Sequence, residues 1–273
     1  MNCLQELKSH YGPAEGHAIY RLIMEESFGL SYTDILLGKD SQISEENKAR
    51  LKEITARLLE NEPVQYVIGH TYFHGHKFCV RQGVLIPRPE TELLVDKVLE
   101  LAKSENAMPR ILDIGTGSGC IAVSLALAGC DVTALDISED ALDVAKENAT
   151  ALGAEVAFVH ENILHPSSLS GQWDVIVSNP PYVCLHEAEE MERNVLDYEP
   201  HQALFVPDTD PLIFYRAIAS FALSHLVPKG WLCLEINQAF PVEMTGLLAS
   251  FGFRNITIIP DQYDKKRIAC AQL

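Results

Sequence analysis

Apolar positions follow one rhythm in the first quarter of the chain and another in the remainder. Up to about residue 62 they recur at helical spacing. Leu51, Ile54, Leu58 and Leu59 share one face of a helix expected over 44–59, where Ser44 can cap and Glu45 and Glu46 suit the positive helix end. Three further helices are expected over 1–10, 13–28 and 31–36. From residue 110 onward, short solid apolar runs alternate with amphipathic stretches. The runs predict strands over 110–114, 131–136, 155–160, 173–178 and 230–236, and the stretches predict helices over 120–127, 138–152 and 211–226. A helix over 241–250 precedes two last strands, 255–260 and 266–271. Strands separated by single helices imply a parallel, doubly wound sheet. Only residues 261–265 separate the last two, too few for a crossover, so these should pair antiparallel.

Between the two regimes, Asn61-Glu62-Pro63 ends the helical bundle. Residues 64–86 carry turn glycines at 69, 75 and 83 between β-prone pieces at 71–73 and 77–80, which reads as a hairpin-like connector. Pro87-Arg88-Pro89 forces an extended segment, and helical periodicity returns over 90–103. The expected organisation is therefore a helical bundle at 1–62, a connector at 63–87 and an α/β domain at 88–273.

Bulk properties narrow the possibilities. The 273 residues are 47% hydrophobic and 22% charged, normal for a globular protein with a sizeable core. No apolar stretch approaches the roughly 20 residues of a membrane span, and the N-terminus lacks the order of a signal peptide, so a cytoplasmic protein with no membrane partner is expected. Seven scattered cysteines contain no C-x-x-C pair, and neither a disulfide framework nor a metal site is expected. The net charge of −17 is uneven: residues 1–87 carry 11 acids against 9 bases, residues 88–273 carry 27 against 12. Duplex nucleic acid is bound through basic side chains that displace counterions, and a domain of net −15 is poorly suited to that.

Two motifs carry chemistry. In Arg110-Ile111-Leu112-Asp113-Ile114-Gly115-Thr116-Gly117-Ser118-Gly119-Cys120, a strand runs through a glycine-rich turn into a helix. A dinucleotide fingerprint wants its third glycine three residues after the second; here it follows after two, which favours S-adenosyl-L-methionine over a pyrophosphate ligand. Asp136 ends the next strand 21 residues after Gly115, where a carboxylate takes ribose hydroxyls. Asn162 and Ile163, after the third strand, are placed to meet and cover an adenine. The second motif is Asn179-Pro180-Pro181-Tyr182, which follows the run Trp173–Ser178 at the ligand-binding edge of the sheet. An Asn side-chain oxygen and a proline carbonyl can accept from both N–H groups of a planar –NH2, with the Tyr182 ring as a stacking face. Asn179, Pro180 and Tyr182 are the candidate catalytic residues, Asn179, Pro180, Pro181 and Tyr182 the candidate substrate-binding residues, and Asn179 is also a candidate cofactor-binding residue. Adenine, cytosine and glutamine side chains all present such an –NH2, so N-methylation is the reaction expected.

With these motifs the chain resembles the peptide chain release factor glutamine N5-methyltransferases of the HemK/PrmC family, over nearly its whole length. Pro63-Val64-Gln65-Tyr66-Val67-Ile68-Gly69 and Val84-Leu85-Ile86-Pro87-Arg88-Pro89-Glu90-Thr91-Glu92 are similar to that family's stretches before its catalytic domain. The resemblance extends to Glu199-Pro200, Ala203-Leu204, Tyr215-Arg216-Ala217-Ile218 and Leu234-Glu235-Ile236. It implies a class I S-adenosylmethionine-dependent methyltransferase fold, a mostly parallel seven-stranded sheet with an antiparallel last strand, plus a helical N-terminal domain that helps to engage the release factor. It further implies methyl transfer to the side-chain nitrogen of the glutamine in a Gly-Gly-Gln loop of peptide chain release factors; a monomer without stable nucleic-acid partners is expected. Arg88 and Thr91 match the stretch over 84–92 and are read either as supports near the cofactor or peptide entrance or as purely structural residues. Three positions depart from the family pattern: Asn162 stands for Asp, Pro211 for Gly in Asp-Gly-Leu, and Asn237 for Gly in Leu-Glu-Ile-Gly. The alternative is an adenine N6-methyltransferase on DNA or RNA, which shares Asn-Pro-Pro-Tyr but wants a basic recognition segment.

Overall fold

The structure, a computed structural model, describes residues 3–102, 108–166 and 169–273. Met1, Asn2 and Lys103, placed in helices by the sequence reading, lie outside the described residues. The chain forms two compact units: residues 1–70 with 192–198, and residues 71–191 with 199–273.

The smaller unit is helical. Cys3–Tyr11, Pro13–Phe28, Tyr32–Leu36 and Glu45–Leu59 are helices, with Ser31 and Ser44 capping the last two as N-cap side chains that accept backbone N–H groups. Leu7, Tyr20, Ile23, Met24, Leu51, Ile54 and Leu58 form its core. Val64–Ile68 is also helical, a departure from the connector expected there. Its Val64 and Val67 pack on the bundle core, so burial decides the conformation of a segment too short for periodicity to classify. Residues 192–198 belong to this unit through contacts such as Tyr198 Oη donating to the Glu60 carbonyl at 2.9 Å.

His70–Phe73, which leads into the larger unit, and His76–Cys79 pair as a two-stranded ribbon, followed by a helix at Glu92–Ala102. The main sheet consists of β1 (Arg110–Ile114), β2 (Asp131–Asp136), β3 (Val156–His160), β4 (Trp173–Ser178), β5 (Leu226–Glu235), β6 (Arg254–Pro260) and β7 (Lys266–Gln272). Their spatial order is β3-β2-β1-β4-β5-β7-β6. The first five run parallel, and β7 is antiparallel to both its neighbours. Strand β5 starts four residues earlier than expected, because an irregularity opposite Trp173 and Val175 absorbs Pro228 and the left-handed Lys229.

Alternation along the strands sorts the core into two layers. Ile111, Val175, Val177, Cys233, Ile268 and Cys270 face the helices Glu92–Ala102 and Cys120–Leu127, whose Leu94, Val98, Ile121 and Leu125 are buried among them. Leu112, Ile176, Leu232, Leu234, Ala269 and Ala271 face Ile213–His225 and Pro241–Ser250. Both faces being covered explains the solid apolar runs. The chain changes direction across the sheet between β1 and β4, and that switch point opens a crevice at the strand ends. All seven cysteines are free thiols.

Candidate active site

A cavity fills the crevice, bounded by the loops that leave β1, β2, β3 and β4. It encloses about 1230 Å³ of empty space, counted out into solvent at its mouth. Its walls include Gly115, Thr116, Gly117 and Ser118 from the first loop, Asp136 to Ser138 from the second, Glu161 to Leu164 from the third, and Ser178 to Pro181 from the fourth. Residues Gly83 to Pro87 of the connector, with Arg88 after it, close another side, a contribution that the hairpin-like reading of the connector did not foresee.

The first loop is held from below. The backbone N–H groups of Gly115 and Thr116 both donate to the Leu135 carbonyl, at 2.8 and 3.0 Å, and Thr116 Oγ1 donates to Asp113 Oδ2 at 2.7 Å. Asn148 Nδ2 donates to the Ser118 carbonyl at 2.9 Å. Gly119, the N-cap of the following helix, has φ of +80°, and a Cβ there would sit 3.0 Å from Ala145 Cβ. That approach of loop to helix explains why glycine stands at 119, which does not itself line the cavity.

Asp136 is buried at the end of β2. Its Oδ2 accepts the Gly117 N–H at 2.8 Å and its Oδ1 the Ser138 N–H at 2.9 Å. Burial raises its pKa, and the hydrogen bonds from Ser138 and Gly117 oppose that rise. A carboxylate offers about four acceptor positions, so two remain for hydroxyl donors. Asp113, fully buried beneath the loop, is pushed up to about 7 by burial, against its bond from Thr116 and with a contribution from Asp136. Asn162 uses its side-chain oxygen to accept the Leu164 N–H at 2.9 Å, which leaves its amide NH2 and the second lone pair of that oxygen for a ligand. The NH2 suits an adenine ring nitrogen and the oxygen the adenine amino group. Ile163 is nearly buried and lines the cavity. Ser118 Oγ, buried, finds no partner among the described residues. An acceptor pair for hydroxyls, an amide donor, apolar walls and an unpaired hydroxyl fit a nucleoside that carries no pyrophosphate, as S-adenosyl-L-methionine does.

At the end of β4, Ser178 Oγ donates to the Ile114 carbonyl at 2.6 Å and fixes this strand end against β1. Asn179 Nδ2 donates to Thr91 Oγ1 at 3.3 Å, while Asn179 Oδ1 and the Pro180 carbonyl accept no hydrogen bond from the described residues. Two proline rings supply no N–H to compete for these oxygens. Tyr182 is placed differently from the stacking face expected of it. It is not among the cavity walls, and its hydroxyl donates to Glu235 Oε1 at 3.0 Å. The apolar faces that line this end are those of Pro181, Phe214 and Ile218. Asn237, where the family pattern has glycine, donates to the Tyr182 carbonyl at 3.1 Å and to Glu187 Oε2 at 2.9 Å, and so ties down the segment after the motif. Arg88 lines the cavity and pairs at 2.6 Å with Glu199, whose other oxygen accepts the Ile86 N–H. Sequence reasoning singled out Arg88 and Thr91 through a motif alone and attached no role to Glu235, whose buried charge is the signal that a solid strand would normally lack.

The family model of the PrmC N-terminal domain matches residues 2–69, and that of the methyltransferase small domain matches residues 89–198. A release factor glutamine methyltransferase of Bacteroides thetaiotaomicron is 45% identical over 270 residues, 98% of this chain and 96% of the relative. The chain belongs to the release factor glutamine methyltransferase family. A second member, from Flavobacterium psychrophilum, is 40% identical over 97% of this chain and 94% of its own. Among solved structures, the T. thermophilus 16S rRNA N2 G1207 methyltransferase, determined with AdoMet and guanosine, aligns with a TM-score of 0.55 at 18% identity over 74% of this chain and 49% of that one. The last likeness is one of fold. No helix among the described residues is long and apolar enough to cross a membrane.

Proposed function

We propose that Asn179 and Pro180 hold the side-chain amide of a release-factor glutamine so that its nitrogen takes a methyl group from S-adenosyl-L-methionine. The protein is an S-adenosylmethionine-dependent protein-(glutamine-N5) methyltransferase, and bacterial peptide chain release factors are its substrates. The observation that carries the reading is the pair of unclaimed acceptors, Asn179 Oδ1 and the Pro180 carbonyl, on residues that line the cavity. When bound, the cofactor supplies an electrophilic methyl group on a positively charged sulfur. An amide nitrogen is a feeble nucleophile because its lone pair is delocalised. Acceptors on both of its N–H groups favour pyramidal nitrogen and stabilise the charge that develops there. Asn179 and Pro180 supply those acceptors from a turn that Ser178 and Thr91 hold rigid, so little reorganisation is needed. The proton then leaves to water, and the site needs no general base ahead of transfer.

On this reading the cofactor is held by Asp136 at its ribose, by Asn162 and Ile163 at its adenine, and along the loop Gly115, Thr116, Gly117 and Ser118, with Gly119 allowing that loop its close approach to Ala145. The helical unit is the module that recognises the release factor. The enzyme works as a cytoplasmic monomer without a stable nucleic-acid partner. The acidic balance of residues 88–273 supports a protein substrate over DNA or RNA. The test is incubation with methyl-labelled cofactor and a purified release factor, its Gln→Ala loop variant, DNA and ribosomal RNA in parallel. Label in the wild-type release factor alone is expected; label in nucleic acid, or in the Gln→Ala variant, overturns the assignment.

A further inference from the structure

Behind the Asn179 turn lies a chain of hydrogen bonds for which the mechanism has so far needed only its first link. Thr91 and Glu235 are separated by 144 residues and are both buried. Thr91 Oγ1 donates to Glu235 Oε2 at 2.7 Å and accepts from Asn179 Nδ2 at 3.3 Å. The other carboxylate oxygen of Glu235 accepts from Tyr182 Oη, and the Glu235 carbonyl accepts from Tyr215 Oη at 3.0 Å. A hydroxyl has a single proton. Thr91 spends that proton on its 2.7 Å bond to Glu235 Oε2. What Thr91 then has left for Asn179 is a lone pair, and a lone pair calls for the NH2 end of the amide. The carboxamide is thereby turned so that its oxygen remains for the substrate.

We propose that Glu235, acting through Thr91, is a positioning residue that sets which end of the Asn179 amide faces the substrate. The inference rests on the reading of Asn179 as acceptor for the substrate amide. Without an acceptor-only group at 235, the Thr91 proton is free to turn toward Asn179 Oδ1. The amide would then present NH2 against the substrate's own NH2, donor against donor. A bond to a charged acceptor is roughly twice as strong as one between neutral groups, which is why a carboxylate serves here and a neutral side chain would serve poorly. Burial, with Glu90 adding to it, raises the pKa of Glu235, and the hydrogen bonds from Thr91 and Tyr182 and the charge of Arg267 oppose that rise. Arg267 is itself anchored on Asp261 at 3.0 Å. A buried strand position would ordinarily hold an aliphatic residue; the polarity of the chain is a reason for an acid to stand there.

The test compares Thr91→Val, Thr91→Ser, Glu235→Gln, the double variant Thr91→Val/Glu235→Gln and Asn179→Ala, each with full-length protein, S-adenosylmethionine and a release factor. Melting temperature and cofactor Kd are recorded beside kcat and KM. Thr91→Val and Glu235→Gln should each lower kcat about tenfold or more, the scale of a misaimed catalytic group, with cofactor Kd unchanged. Thr91→Ser, which keeps the hydroxyl, should restore kcat. The double variant should be no worse than the poorer single one, because both break the same chain. Should Thr91→Val not fold, Glu235→Gln against Thr91→Ser carries the same comparison. Wild-type kcat in Thr91→Val or Glu235→Gln, with Asn179→Ala inactive, overturns the positioning role and leaves the Asn179 reading standing. Losses that multiply in the double variant, or that track melting temperature and are not restored by serine, also overturn it by showing a packing role. Wild-type kcat in Asn179→Ala refutes the underlying reading instead.

Discussion

Replacement of Asp136 by alanine separates cofactor recognition from loop architecture, because this carboxylate serves both. On the protein side, alanine removes the acceptors of the Gly117 and Ser138 N–H groups. Neither residue is fully buried, so water can replace the lost partner, and relief of a buried charge returns part of the cost. The net loss of stability should be about 1–3 kcal/mol. On the ligand side, two hydroxyls lose a charged acceptor at about 1.5–3 kcal/mol each, a total of about 3–6 kcal/mol, or about 10²–10⁴-fold in Kd. Asp136→Asn should not rescue binding: both carboxylate oxygens accept backbone N–H groups, so an amide must turn its NH2 toward one of them. Calorimetric titration with S-adenosylhomocysteine, which binds without turnover, measures Kd, and urea denaturation of the free protein measures stability. The ligand effect should far exceed the stability effect. A Kd that stays at the wild-type value while stability falls would remove Asp136 from the ribose and leave it only as a loop anchor.

Gly119→Ala should destabilise the protein by about 1–3 kcal/mol in urea denaturation, from left-handed backbone and a close approach together. Its φ is +80°, and the new Cβ would meet Ala145 Cβ at 3.0 Å and Ala145 Cα at 3.2 Å; a neutral outcome would show that the loop can move away from the helix at little cost. Asp113 gives a pH signature. Its folded pKa of about 7 lies above the ordinary 3.8, so its contribution to stability is full below about 3.8 and is lost as pH rises through about 7. The stability of the wild type minus that of Asp113→Asn should therefore fall between pH 4 and pH 7 when both are unfolded by denaturant across that range; a difference that stays flat would mean that the burial of Asp113 is relieved in solution.

Much of this was legible in the chain, and the reasons differ by element. The strands β1, β2 and β4 begin and end where the apolar runs do, because helices cover both faces of the sheet there. The antiparallel end of the sheet followed from a five-residue connection alone. What escaped was decided by distant partners. Val64–Ile68 is helical because Val64 and Val67 find the bundle core, and residues 192–198 join residues 1–70 across more than a hundred positions. Within the site, the residue types at Gly117, Asp136 and Asn179 announced their chemistry through spacing and strand ends. The union of Thr91, Glu235 and Tyr182 did not, since no local pattern links a residue near the connector to one on β5. The displacement of Tyr182 from the cavity wall has the same origin: its hydroxyl follows a buried acid 53 residues away.

Asn179→Ala, assayed in single turnover on a release factor with cofactor Kd measured on the same preparation, probes the proposed grip on the substrate amide most closely. Loss of one such preorganised group typically costs about 10²–10³ in rate, and a fall of at least that size with unaltered cofactor Kd is the expected result. Weakened cofactor binding with a normal transfer rate at saturation would contradict it, and would make Asn179 a cofactor ligand rather than the acceptor that holds the glutamine.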